Sequence, residues 1–239
     1  MRPRLSVLIA AAVVAGCVAS TPLRESPPGA LRLLPAEPAV SVLYVALGDS
    51  TVEGVGASSP ARNYVGQLHE RLSAVYPRAR VVNLGVGGAT AAGVLSRQLP
   101  RAIKLRPDLV TLSVGPNDIT GKRDLESYAR DIDAILRILT RQTGAVVVVN
   151  LIPDLTVTPR FRGKEIEARV RQRVVAFNEI LALQARGYGA EVVDLYTASQ
   201  REVPARPDLI GPDRYHPSDD GYARWAELMW AGIEARIMR

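Results

Sequence analysis

Five short runs rich in β-branched residues, separated by stretches of helical periodicity, constrain the fold of this chain more than any other feature. The runs are Val42–Leu47, Arg80–Leu84, Leu109–Val114, Ala145–Ile152 and Glu191–Leu195. Continuous apolar runs of this kind suit strands buried on both faces of a parallel sheet. The intervening stretches carry helical stripes. Ser59-Pro60 predicts an N-cap and an N1 proline for a helix bearing Tyr64, Val65, Leu68, Leu72 and Val75. Asp124 precedes a second stripe of Leu125, Tyr128, Ala129, Ile132, Ile135, Leu136 and Leu139, and a third helix is predicted from about residue 165 to 185. Ser218 opens the last, with Asp219 and Asp220 in its first turn and Tyr222, Trp225, Ala226, Met229 and Ile233 on its apolar face. Together these predict an α/β fold, a doubly wound, five-stranded and mainly parallel sheet flanked by helices. In such a sheet ligands bind beyond the carboxyl ends of the strands.

The 239 residues favour one folded domain, placed over residues 40–239. Ahead of it, Met-Arg-Pro-Arg and an apolar run from Leu5 to Ala15 read as the charged and hydrophobic regions of a leader over residues 1–16. The apolar run is shorter than the ~20 residues that span a bilayer. It ends on Val14-Ala15-Gly16-Cys17, which resembles the lipobox of bacterial lipoprotein signal peptides. That resemblance implies cleavage before Cys17, a diacylglycerol on its sulfur, and an exported protein lipid-anchored to the outer face of the bacterial cell membrane or envelope. Residues 17–39, with Pro22, Pro27, Pro28, Pro35 and Pro38, then read as an extended spacer.

One cysteine cannot form an internal disulfide, and two histidines (His69 and His216) leave no Cys/His zinc cluster. No cofactor fingerprint is complete either. Gly54-Val55-Gly56 and Gly85-Val86-Gly87 begin like dinucleotide motifs, but Ser59 and Thr90 stand where the third glycine belongs. The formal charge of +6 is spread over scattered arginines without interleaved aromatics, a solvated basic surface rather than a nucleic-acid face.

Four segments fall at the expected rim: Gly48-Asp49-Ser50, Gly85-Val86-Gly87-Gly88, Gly115-Pro116-Asn117-Asp118 and Asp213-Arg214-Tyr215-His216. Acyl transfer from an ester needs a hydroxyl, a base, a group that orients the base, and donors for an oxyanion. Ser50 supplies a hydroxyl at a strand end. His216 is the histidine outside a predicted helix, and Asp213 three residues earlier can hold its Nδ1–H. The N–H of Ser50, the N–H of Gly88 and the amide of Asn117 are candidate donors. His69 flanks an apolar helical stripe and reads as a boundary residue.

These four blocks, in this order, resemble the SGNH hydrolases of the GDSL esterase/lipase group, over the domain from about Val42 to the last helix. The resemblance implies Ser50, Asp213 and His216 as a triad and Ser50, Gly88 and Asn117 as an oxyanion hole, with no metal or cofactor. The family often has serine before its glycine, where this chain has Gly87, so Gly87 and Gly88 both stand as donors. The activity implied is serine-dependent carboxylic-ester hydrolysis of a small-molecule, lipid or acylated-glycan ester. A polysaccharide O-deacetylase, a thioesterase and a lysophospholipase fit the same resemblance. A non-catalytic surface binding module is the alternative from another class. No Gly-x-Ser-x-Gly elbow is present. The segment 153–164, with Arg160, Arg162 and Lys164, is long for a strand-to-helix connection and is expected as a solvated loop on the rim, with a lid as the alternative.

Overall fold

A computed structural model describes residues 31–238. The leader, Cys17 and the spacer as far as residue 30 lie outside the described residues. In chain order the elements are β1 (Leu43–Gly48), α1 (Ser50–Glu53), α2 (Tyr64–Val75), β2 (Arg80–Asn83) and α3 (Ala91–Gly93). A π-helical turn, Val94–Gln98, carries α3 into α4 (Leu99–Leu105), followed by β3 (Leu109–Ser113), α5 (Pro116–Thr120) and α6 (Leu125–Gln142). The chain ends with β4 (Val146–Asn150), α7 (Glu167–Gly187), β5 (Glu191–Val193), α8 (Leu195–Ala205) and α9 (Asp219–Glu234). The strands form one five-stranded sheet in the order β2-β1-β3-β4-β5, and every neighbouring pair is parallel.

Every residue of β1, β3 and β4 is buried, as the continuous apolar runs require of central strands covered on both faces. Period-two alternation divides them. Val45, Leu47, Leu112 and Val149 pack with Ile132, Ile135 and Leu136 of α6 and Val174 and Phe177 of α7. Tyr44, Ala46 and Val148 pack on the other face with Leu68 and Leu72 of α2 and Trp225 and Met229 of α9.

Three local features depart from the expectations. α2 starts at Tyr64 rather than beside Ser59-Pro60, because Asn63 is the cap: its side chain accepts from Gly66 N–H at 2.8 Å while its amide reaches Val52 O at 3.3 Å. α8 and the α3–α4 helix carry no clean apolar stripe, so the sequence pattern does not predict them. The π turn brings Gln98, 2% exposed, inward to bracket the Gly48 peptide, donating to its oxygen at 2.7 Å and accepting from its N–H at 2.8 Å.

The third is a correction. The described part of the expected spacer, residues 31–39, lies against the domain instead of standing off it. Leu34 is 1% exposed and pairs with the end of the chain, its N–H donating to Arg236 O at 2.7 Å and its carbonyl accepting from Met238 N–H at 3.1 Å. Arg32 donates to the carbonyls of Thr140 and Thr143 at the end of α6, and the Tyr76 hydroxyl donates to Pro35 O. Composition marks a proline-rich stretch as extended, but it does not exclude one buried leucine that docks it.

Leu34→Ala should therefore cost about 2–4 kcal/mol of unfolding free energy, the usual range for emptying a buried leucine site. Urea denaturation should show a lower midpoint at unchanged slope. A loss under about 0.5 kcal/mol, ordinary for a surface position, would mean that the strap adds nothing to the domain.

Candidate active site

β1 stops at Gly48, whose φ of +148° few other residues adopt. A Cβ there would stand 1.9 Å from the Ser113 carbonyl oxygen, so β1 and β3 approach this closely only because the residue is glycine. Asp49 N–H then donates to Ser113 O at 3.2 Å, and the Asp49 side chain caps α1. Its Oδ1 accepts from Thr51 N–H at 3.0 Å and from the Thr51 hydroxyl at 2.9 Å, while Oδ2 is buried without a partner among the described residues. Burial pushes this carboxyl up to about 6, against the two hydrogen bonds from Thr51. Ser50 is the first residue of α1, half-buried at the rim, and as such its own N–H has no intrahelical partner.

The opposite wall is the turn that leads into α9. Gly211 N–H donates to His216 O at 2.8 Å, closing a loop in which Arg214 takes a left-handed φ of +67°. Asp213 shapes this turn and orients the ring together. Its Oδ1 accepts from the N–H groups of Tyr215 at 3.0 Å and His216 at 2.9 Å, and its Oδ2 meets His216 Nδ1 at 2.5 Å. Burial pushes the Asp213 carboxyl up, but these hydrogen bonds outweigh it and hold the group below its ordinary value. With Nδ1–H given to Asp213, His216 Nε2 faces the Ser50 hydroxyl at 2.9 Å as an acceptor. The Arg160 guanidinium lies 4.5 Å over the Tyr215 ring, which itself sits edge-on to His216.

The glycine loop is laced to the same place. Gly87 N–H is spent on Glu53 Oε2 at 2.7 Å, whereas Gly88 N–H makes no protein hydrogen bond among the described residues. Gly88, at φ +76°, is exposed with open space around it. Asn117 gives one amide hydrogen to Ala89 O at 3.0 Å, which ties the two loops and leaves its second hydrogen available to a ligand. Glu53 and Gln98 are thus parts of the site that sequence does not flag.

His69 is half-buried on α2, with Nε2 3.2 Å from Ala79 O. The segment 153–164 is less solvated than expected, since Leu155, Thr156, Thr158 and Phe161 are buried. Among the described residues no three His, Cys, Asp or Glu side chains gather as metal ligands, and no helix is long and apolar enough to cross a membrane.

Residues 46–224 match the GDSL-like Lipase/Acylhydrolase family. A GDSL-like esterase of Mycobacterium tuberculosis is 31% identical over 191 residues, covering 78% of this chain, which spans only 60% of that relative's length. An acetylxylan esterase of Geobacillus stearothermophilus is 26% identical over 185 residues, covering 73% of this chain and 83% of the relative. The crystal structure of an alpha/beta hydrolase enzyme from the metagenome of Lake Arreo, Spain, superposes with a TM-score of 0.66. At 21% identity, over 84% of this chain and all of that one, it shows a shared fold.

The raised Asp49 carboxyl carries a stability signature. The folded state holds this proton up to about 6 and the unfolded state releases it near its ordinary ~3.9, so stability falls as pH rises through that window. An asparagine side chain at this position would keep the acceptor for Thr51 and would not ionise. The stability of Asp49→Asn relative to wild type should therefore improve between about pH 4 and pH 7, by up to roughly 3 kcal/mol. Thermal or urea unfolding across that range would show it; a difference independent of pH would mean that Asp49 ionises as it does in water.

Proposed function

The chain belongs to the GDSL-like Lipase/Acylhydrolase family, and from that premise we propose that it is a serine-type ester hydrolase with Ser50, His216 and Asp213 as its catalytic triad. The observation that carries this is the unbroken relay from Ser50 Oγ to His216 Nε2 at 2.9 Å and from Nδ1 to Asp213 at 2.5 Å. Ser50 Oγ attacks the ester carbonyl while Nε2 takes its proton. The carbonyl oxygen becomes an oxyanion held by the N–H groups of Ser50 and Gly88 and the second amide hydrogen of Asn117. Collapse expels the alcohol, which leaves with the proton from Nε2. Water then attacks the acyl-serine, Nε2 takes the water proton, and the carboxylic acid departs as Ser50 recovers its hydrogen. Asp213 stays ionised throughout and stabilises the transient imidazolium. Gly88 is preferred over Gly87 as the donor because Gly87 N–H is already bound to Glu53. A module that only bound its ligand would have no need of this relay.

The leader and lipobox residues support an enzyme working at the cell envelope, tethered through Cys17. The strap is held by Arg32 on the Thr143 carbonyl, ahead of β4, and by the Tyr76 hydroxyl on Pro35 O, ahead of β2, and so joins the folded domain at the end of the sheet opposite Ser50. A tether on that side leaves the rim open to substrate.

Ser50→Ala should abolish ester turnover without unfolding the domain. Asn117→Ala should lower kcat by roughly a hundredfold or more with KM little changed, because its donor acts on the oxyanion rather than on bound ester. If Asn117→Ala raised only KM, Asn117 would be a binding residue and the oxyanion assignment would fail.

The tether has its own check. In a bacterial host that lipidates exported proteins, Cys17→Ser should move the enzyme from the membrane fraction to the soluble one. A variant that stayed with membranes after a salt wash would rule out the lipid as the anchor.

A further inference from the structure

We propose that the cavity beside Ser50 and His216 holds the acyl chain of the substrate and selects straight chains of butanoyl to octanoyl length over acetyl. This deepens, and rests on, the ester-hydrolase function proposed for Ser50. The cavity runs inward from the Asp49–Thr51 turn between the segment after β4 and the pair of helices α8 and α9. Leu155 and Val157 form one wall, and Ala198 of α8 and Leu228 of α9 form the other.

Its volume exceeds what an acetyl group fills. The cavity offers about 110 Å³ to water-sized molecules, and at ~10–15 Å³ for each water-sized place it has room for several methylenes. Its charged wall residues beyond the nucleophile turn are matched with partners. Asp154 accepts from Thr156 N–H at 2.9 Å and from Gln200 at 3.0 Å. Glu202 accepts twice from Arg224, at 2.8 Å each. A ligand entering here meets satisfied ions and apolar carbon, so methylenes gain by leaving water and a polar group gains little. The Glu202–Arg224 pair also sets the limit, because a chain that reached it would strip water from two charges.

The acyl group, rather than the alcohol, is the occupant because of the order of events at Ser50. The carbonyl oxygen turns to the Ser50, Gly88 and Asn117 donors and the leaving oxygen to His216 Nε2. The alcohol must then depart while the acyl group stays on Ser50. The exposed Asp213-Arg214 side of the rim is open to solvent and suits departure, whereas the apolar-walled cavity suits the group that remains.

Two ester series test this with the purified enzyme. p-Nitrophenyl esters from acetate to dodecanoate vary the acyl chain, and butanoates of methanol to octanol vary the alcohol. The value of kcat/KM should rise by up to about fourfold per added methylene to a maximum between butanoate and octanoate. The alcohol series should vary far less. Ala198→Trp, which fills the cavity from α8, should lower the hexanoate-to-acetate ratio by about tenfold or more. Val157→Phe narrows it from the opposite wall and should act in the same direction, so the outcome does not hang on one variant folding. A wild-type maximum at acetate, a steeper dependence on the alcohol than on the acyl chain, or folded variants with the wild-type ratio would each overturn the acyl assignment while leaving ester hydrolysis intact. Failure to turn over any ester would remove both.

Discussion

β1 meets β3 at Gly48 with no room for a side chain, and the position of Ser50 at the strand end follows from that contact. The close approach lets Asp49 N–H reach Ser113 O, which turns the chain out of the sheet and into α1 with Ser50 at its start. Gln98 brackets the same peptide from the π turn. The glycine loop is tied on as well, through Val86 N–H to Gly48 O at 3.2 Å and Asn83 to Val52 O at 2.6 Å. The Ser50 turn and the glycine loop are therefore one hydrogen-bonded assembly rather than loops that happen to meet. Rigidity of this kind matters because donors aimed in advance at a developing charge need no reorganisation when it forms.

Two carboxylates flank Ser50, and their surroundings pull them in opposite directions. Asp213, on the exposed turn, collects hydrogen bonds from two backbone N–H groups and the imidazole and is held in its ionised form. Asp49, 1% exposed beneath the serine, keeps its proton up to about 6. Environment thus assigns one carboxylate to the imidazole and the other to the architecture of the turn. The adjacent Gly-Asp-Ser residues of the sequence give no hint of this division. It depends on how deeply the fold buries Asp49 and leaves Asp213 on an exposed turn.

The sheet is legible in the sequence because its central strands are buried on both faces, which leaves continuous apolar runs at Leu43–Gly48, Leu109–Ser113 and Val146–Asn150. Three of the four rim segments are legible for a related reason, since a strand end in a parallel sheet is a fixed address; the fourth stands just ahead of α9. What escapes notice is held by single polar contacts between distant segments. Asn63 displaces Ser59 as the cap of α2 because Val52 is within its reach. Gln98 and Glu53 act on backbone groups of other loops, and one buried leucine turns a proline-rich stretch into a strap. The wall of the cavity is hidden as well, because α8 buries only Leu195 fully and so lacks the stripe that marks α6.

A fluorophosphonate reacts with a serine only where a base and an oxyanion site already stand around it. That makes covalent labelling, read by mass spectrometry of the intact protein and its peptides, the most direct measure of the assembly around Ser50. One adduct per chain, on the peptide that carries Ser50, is the result expected, with labelling slowed strongly in His216→Ala. An adduct on another serine, or none in folded protein, would contradict the assignment of Ser50 and His216 as the reacting pair.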